Sequence, residues 1–294
     1  MELLASALRL STPLLFAALG GLICERSGIA TICLEGVMLV SAFTAAAVDA
    51  YVHDPVLALC AGMIAGSLTM GVHAVISVTA KADQIVSGVA VNFLAAGLTP
   101  LLSKSLFGSP TNTQSLALTD RFHAWEFGNP LLDQPTLVYL ALLTPFLMHF
   151  LLYKTRFGLR VLAAGDGPEA LQTSGVRYQR VRWLALLLGG AIASLGGTYL
   201  SITHASQFTR DMTAGRGYIA LTALIFGKWR PLPTLFACLF FGFTDAAQIQ
   251  LQSAEWAGHT VPVQALQALP YLVTLFVLVG FVGQARPPLA IGQK

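Results

Sequence analysis

Few side chains in the long apolar runs of this chain are capable of chemistry, and Glu35, Asn92 and Asp245 stand out. An ionisable group inside a bilayer is expensive and faces a cavity or a partner by default. Glu35 supports two readings: a pathway or proton-relay group, or a hydrogen bond between packed helices. Gly36 and Ser41 beside it favour close helix contact. Asp245 opens a polar stripe with Gln248 and Gln252 toward one end of its run, suited equally to solvation at a mouth and to ligand contact. Asn92 sits mid-run, where its amide can read a polar ligand as both donor and acceptor. It can equally bond a neighbouring helix for about 1 kcal/mol, and the residues leave both readings open. Gln207 and Phe208, with Gly215 and Gly217, border a short apolar run where loosened backbone could line a cavity.

Several chemistries are missing. Gly227-Lys228 is followed by Trp229 rather than Ser or Thr, and no upstream glycine fits, so there is no Walker A loop. No zinc motif, nucleophile elbow or thiol pair occurs, and Cys24, Cys33, Cys60 and Cys238 lie in or beside apolar runs as packing residues. The net charge of +3 is no nucleic-acid signal, because most basic residues flank apolar runs, where they set topology.

The elements that must position these residues follow from composition. Of 294 residues, 55% are hydrophobic and 11% charged, with mean hydropathy +0.69, far from the roughly 25% charged residues of a soluble domain. Apolar stretches of about 20 residues recur from end to end, the length that spans a hydrocarbon core of about 30 Å. The expectation is an all-α, polytopic transmembrane helical bundle forming a single domain over residues 1–294. Nine spans are expected, at 4–23, 29–50, 57–79, 84–104, 135–153, 183–203, 216–228, 232–251 and 263–283. The first is read as a retained helix rather than a cleaved leader. The seventh is too short to cross squarely and is read as broken or tilted.

The stretch 154–182 is polar, with Lys154, Arg156, Arg160, Arg177, Arg180 and Arg182 at its two ends. Short basic loops stay cytoplasmic. Alternating outward from it puts Arg26, Lys81, these six, Lys228, Arg230, Arg286 and Lys294 inside, and Lys104, Arg121, Arg210 and Arg216 outside, with Arg9 in the first span counted with the outer set. Twelve against five is the expected bias; the N-terminus is then extracytoplasmic and the C-terminus cytoplasmic. The outer loop 105–134 carries turn formers at Gly108-Ser109-Pro110 and Gly128-Asn129-Pro130, with Trp125 and Phe127 as interfacial aromatics. Within the inner loop, 167–172 reads as a short helix, since Pro168 suits its first turn, Glu169 its dipole and Gly175 its stop. Ala164, Ala170 and Leu171 offer a small apolar face to a soluble partner. Gly62 and Gly66, and the run Gly189 to Gly197, mark helices that approach closely.

Four strings carry a resemblance: ERSGIATICLEGVML from Glu25, DQIVSGVAVNFL from Asp83, FGLRVLAAGDGPEA from Phe157, and the segment from Gln207 through Met212, Gly215, Gly217, Phe226 and Trp229 to Pro231. Together, and in this order, they resemble the permease subunits of ATP-binding-cassette importers, in the simple-sugar/nucleoside (branched-chain amino acid/ribose-type) family. The fourth string is most similar to permeases paired with a basic-membrane-protein-type lipoprotein, which mostly carry nucleosides. The third has Gly165-Asp166-Gly167 where that family usually shows a Glu-Asn pair, and the chain lacks an additional N-terminal helix of some sugar permeases, which leans to the nucleoside branch.

The resemblance implies a type II ABC-importer permease fold in the cell (inner) membrane. It implies a cytosolic ATP-binding subunit, a second permease subunit of the same or another chain, and an extracytoplasmic substrate-binding protein. ATP is then held by the partner subunit, and this chain binds no cofactor and catalyses no reaction. The loop 157–175, with Gly165, Pro168, Glu169, Ala170 and Leu171, becomes the coupling element. Asn92, Phe208, Gln207 and Glu35 become candidates for the substrate pathway. A simple-sugar permease is the alternative within the family. From another class, an ion-coupled secondary transporter would want paired intramembrane charges, and Glu35 and Asp245 have no clear basic partner.

Overall fold

The computed structural model describes residues 1–116, 128, 131–252 and 286–293. The expected span 263–283, Arg121, Trp125, Phe127, Asn129, Pro130 and Lys294 lie outside the described residues. Among the described residues, seven helices are long and apolar enough to cross a membrane. They are α1 (Glu2–Arg26), α2 (Leu34–Val52), α3 (Pro55–Ala74, continued by a π-helical turn Val75–Thr79), α4 (Gln84–Phe107), α5 (Thr136–Lys154), α8 (Tyr178–Thr198, continued as π-helix over Tyr199–His204) and α10 (Pro231–Gln252). Three shorter helices complete the described set: α6 (Arg156–Asp166), α7 (Pro168–Thr173) and α9 (Arg216–Phe226).

Local chemistry sets several of the boundaries. Asp54 starts α3 by accepting from the amides of Val56 (2.8 Å) and Leu57 (3.2 Å), with Pro55 in the first turn. Asp83 does the same for α4 through Ile85 (2.9 Å) and Val86 (3.0 Å). Each side chain satisfies donors that a helix start leaves without an intrahelical partner. α7 stops as the sequence indicates, with Gly175 at φ +84° donating to the Gln172 carbonyl.

Two boundaries differ from the sequence expectation. The second span starts at Leu34 rather than 29, because Gly28 at φ +93° turns the chain and 27–33 run irregularly. The sixth starts at Tyr178 rather than 183, which carries Arg182 into the protein interior. Arg182 is 7% exposed; its Nε donates to the Ser27 carbonyl (3.0 Å), its Nη2 to that of Ala164 (3.3 Å), and the guanidinium lies over the Tyr178 ring. It therefore ties α8 to the α1–α2 turn and to α6 rather than forming part of a free basic flank.

α1 is the central helix, with α10, α8, α9 and α5 packed around it. The small residues work as expected. A Cβ on Gly189 would fall 2.5 Å from the Gly20 carbonyl oxygen, and one on Gly190 would fall 2.8 Å from that of Gly66. Both α1 and α3 thus meet α8 backbone to backbone, a packing in which apolar solvation contributes little and close contact contributes much. The outer faces of α3, α4 and α5 expose large apolar side chains, among them Leu68, Phe93 and Phe150, as surfaces that meet lipid or another helix do.

Candidate functional site

α9 has 11 residues and so runs about 16 Å, half of a hydrocarbon core. It is reached from the π-helical end of α8 through residues 205–215, in which Ser206, Asp211 and Ala214 hold positive φ values of 56°, 54° and 46°. Non-glycine residues in that region cost of order 1–3 kcal/mol each and persist only where their surroundings enforce them. The enforcement is visible. Residues 206–210 run beside 111–116, with an antiparallel bridge between Asn112 and Thr209. The Thr113 amide donates to the Phe208 carbonyl (3.1 Å), the Leu116 amide to that of Ser206 (2.8 Å), and the Arg210 amide to that of Thr111 (2.7 Å).

The start of α9 abuts the start of α2, and Glu35 lies between them. The Thr213 hydroxyl (2.6 Å) and the Gly215 amide (2.9 Å) donate to Glu35 Oε1, while the Gly217 amide donates to Oε2 (2.7 Å). A carboxylate from one helix thus caps the positive end of another, an arrangement worth up to about 2 kcal/mol when partly buried. Gly217 has to be glycine, since a Cβ there would fall 2.5 Å from the Glu35 amide nitrogen. Glu35 stands in the first turn of α2, not two turns into it as the expected span 29–50 places it.

Asn92 serves the other helix start. Its Oδ1 accepts from the Gly36 amide (2.8 Å), and its Nδ2 donates to the Ile32 carbonyl (2.9 Å) and the Tyr218 hydroxyl (3.0 Å). One amide thereby joins α4, α2 and α9. Of the two sequence readings, inter-helix bonding is present; yet Asn92 also faces a cavity. That cavity, ≈270 Å³, is lined by Glu35, Asn92, Phe93, Asp211, Thr213 and Tyr218 among others. Its wall combines an amide, two carboxylates, a hydroxyl, a phenol and a broadly exposed Phe93 ring, groups that can hydrogen-bond a polar solute beside a flat aromatic face.

The other two pathway candidates stand elsewhere. Phe208 has no exposed surface; its ring meets Phe43 edge-on at 5.3 Å among Leu39, Ala42, Ala46 and Ala95. In this conformation it presents no face to a base. Gln207 is half-buried in the paired segment and does not line the cavity. Asp245 is half-buried on α10, outside this junction. Sequence reasoning missed Thr213 and Tyr218, whose only signal is a hydroxyl beside the glycines of the short span. A larger cavity, ≈760 Å³, lies apart, bounded by Arg9, Tyr199, His204 and Gln250. Its wall ends at α10 where the described residues stop, whereas the smaller cavity holds two of the candidates.

The end of the molecule away from the 111–116 pairing carries α6 and α7. Glu169, Ala170 and Gln172 are exposed, while Ala164 is buried and Leu171 is only 8% exposed. The apolar face expected of Ala164, Ala170 and Leu171 therefore divides: Ala164 and Leu171 pack into the helical bundle, and Ala170 alone of the three faces outward. A shallow groove of ≈440 Å³ runs past Ala163, Asp166, Gly167, Ala170, Leu171 and Ser174. Nearby, Trp229 Nε1 donates to Glu25 Oε2 (2.6 Å) and Arg26 Nε donates to the Trp229 carbonyl (2.7 Å), fixing the turn after α9 to the end of α1.

The family model described as the branched-chain amino acid transport system permease component matches residues 3–282. The guanosine ABC transporter permease protein NupQ of Bacillus subtilis is 36% identical, over 96% of this chain and 92% of that protein. The nucleoside ABC transporter permease protein NupC of Lactococcus lactis is 32% identical over 99% and 95%. The putative glucose ABC transporter permease protein TsgC13 of Haloferax volcanii is 33% identical over 94% and 90%. No solved structure matches the chain significantly. A bundle of long apolar helices, a broken span with its helix start inside the bundle, and a match across nearly the whole sequence agree: this chain belongs to the family of permease components of branched-chain amino acid transport systems and is a multi-pass ABC transporter permease subunit.

Proposed function

We propose that the chain is the permease subunit of an ATP-driven importer of nucleosides. The observation that carries the reading is the near full-length similarity to a guanosine permease and a nucleoside permease. The cavity supports it: Asn92, Glu35 and the Tyr218 hydroxyl supply polar contacts, and Phe93 and Tyr218 supply ring faces on which a base can lie. At ≈270 Å³ it falls just below the roughly 300 Å³ at which small-ligand pockets begin, so a nucleoside enters as α2, α4 and α9 part. Glu35 and Asn92 then border the pathway. Gln207 and Phe208 back it through the 205–215 segment, and Phe208 contributes a ring to the solute only in a conformation that withdraws it from Phe43.

The same reading assigns the partners. A cytosolic ATP-binding subunit docks on α6–α7, on the surface formed by Glu169, Ala170 and Gln172 beside Gly165 and Pro168. A second permease subunit faces the exposed side of α4, and a substrate-binding protein delivers the solute from outside. The basic residues support this orientation, with the N-terminus extracytoplasmic and the C-terminus cytoplasmic. Arg26, Lys81, Lys154, Arg156, Lys228 and Arg230 all neighbour the end of the bundle that carries α6. A simple-sugar substrate is the second reading, favoured by the putative glucose permease relative. Cells lacking the chain should lose uptake of radiolabelled nucleosides and regain it on complementation, with excess unlabelled nucleoside competing and ribose or glucose not. Competition by a sugar instead would replace the nucleoside reading by the sugar one.

A further inference from the structure

Three segments far apart in the sequence meet around one side chain, Gln84, and one of them, the C-terminal tail, is bonded in turn to a fourth, α6. Gln84 is the first residue of α4, is almost fully buried, and its amide uses both ends. The amides of Ala30 (2.8 Å) and Gly292 (3.2 Å) donate to its Oε1, and its Nε2 donates to the Gln293 carbonyl (3.0 Å). The same C-terminal tail is fixed on its other side to the α6–α7 element, where the Ala290 amide donates to the carbonyl of Gly165, the penultimate residue of α6 (2.8 Å). Ala290 is 2% exposed, and a Cβ on Gly28 would fall 3.0 Å from its own Cβ. Two turns, from the Ile291 amide to the Pro288 carbonyl (3.2 Å) and from the Gln293 amide to the Ala290 carbonyl (3.1 Å), keep the tail short and defined. Residues 288–293 are therefore a clamp between α6 and α4, not a loose end.

That clamp joins two elements whose helical neighbours differ, alongside the 27–33 turn, which lies against Gly165 at Gly28 and is bonded to Gln84 at Ala30. α6 packs chiefly on α5, α8, α7 and α1, while α4 packs chiefly on α2 and α3. Gln84 and Asn92 lie eight residues apart on one helix, about 12 Å along its axis, and the proline inside α4 comes later, at Pro100. An unbroken hydrogen-bonded helix of that length moves as a unit. We propose that Gln84 and the C-terminal tail form a strap that carries movement of α6–α7 to α4, and so to Asn92 and Phe93 at the cavity. Gln84 is a positioning residue that touches no solute. The strap rests on the reading of α6–α7 as the docking site of the ATP-binding subunit. A buried amide holding two acceptor-side bonds and one donor-side bond suits the role, because such a network is satisfied in a discrete arrangement and resists intermediate ones.

The test uses the complete importer in proteoliposomes, with its binding protein, and a truncation removing residues 288–294, Gln84→Leu, and the two combined. Attachment of the ATP-binding subunit and basal ATP hydrolysis should stay at the parent level in all three. Nucleoside taken up per ATP hydrolysed should fall between about twofold and thirtyfold, the range for changes along a coupling path. The combination should fall no further than the stronger single change, since both cut one link. A truncated importer with parental uptake per ATP overturns the strap, as does a combination whose loss multiplies the two single losses. Loss of attachment on truncation also overturns it, by making the tail, with Leu289 73% exposed, part of the docking surface instead. If Gln84→Leu does not accumulate, the truncation decides alone, because it leaves the Ala30–Gln84 bond in place. Failure of the docking reading shows separately, as Ala170→Asp leaving attachment unchanged.

Discussion

Glu35 and Asn92 each hold the start of a helix that a neighbouring element would otherwise leave with bare amides. Glu35→Gln replaces one acceptor oxygen by an NH₂ that must face either the Gly217 amide or the Thr213 and Gly215 donors. An unsatisfied buried donor costs about 1–3 kcal/mol, so the purified permease should unfold at a lower temperature, with α9 less protected in hydrogen exchange. Asn92→Asp keeps the acceptor for Gly36 and loses both donations, to Ile32 and Tyr218. It should assemble and bind its ATPase normally while uptake falls; unchanged uptake would reduce Asn92 to a packing residue. Both residues were legible in the sequence, because a polar group inside an apolar run must be answered by something. Their partners were not. Thr213 and Tyr218 lie more than a hundred residues away from either, and nothing local in the chain says that the start of α9 meets the start of α2. Phe208 shows the converse, an aromatic legible as a candidate whose burial against Phe43 only the fold reveals.

At the scale of elements, α7 was readable from its ends and misread on its faces. Pro168 and Gly175 delimit a helix, but six residues carry too little periodicity to say which side turns inward, and packing against the core claims Leu171. Two single substitutions separate the faces. Ala170→Asp places a charge on an exposed position and should weaken attachment of the ATP-binding subunit, read by co-purification, without altering the stability of the permease itself. Leu171→Asp buries that charge, should cost at least about 2 kcal/mol, and should lower the yield of folded permease whether or not the partner is present. Equal effects of the two on attachment, with folding intact in both, would contradict the division of faces. Arg182 carries the same lesson: basic residues near a span end read as flanking charge, yet this one is consumed by the Ser27 and Ala164 carbonyls.

For the whole molecule, composition and run length were enough to read the class, whereas the balance of lysine and arginine gives an orientation as an expectation that labelling tests directly. Of the four cysteines only Cys60 is exposed, so Cys60→Ala suffices as the background. Single cysteines at Ser115 and Ser174, both exposed, should then label from opposite sides with an impermeant thiol reagent. Ser174 labelled from outside in intact cells would invert the orientation and remove α6–α7 from the ATP-binding partner. The substrate was the least legible property, because a solute is recognised by a few groups brought together from α2, α4 and the 205–218 stretch rather than by any contiguous motif. The most direct measurement is therefore the initial rate of guanosine uptake by the reconstituted importer, with ATP supplied on the side of α6–α7 and ribose or glucose in excess. The account predicts ATP-dependent accumulation that the sugars leave unchanged and that Asn92→Asp lowers; sugar accumulation without any nucleoside uptake would contradict it.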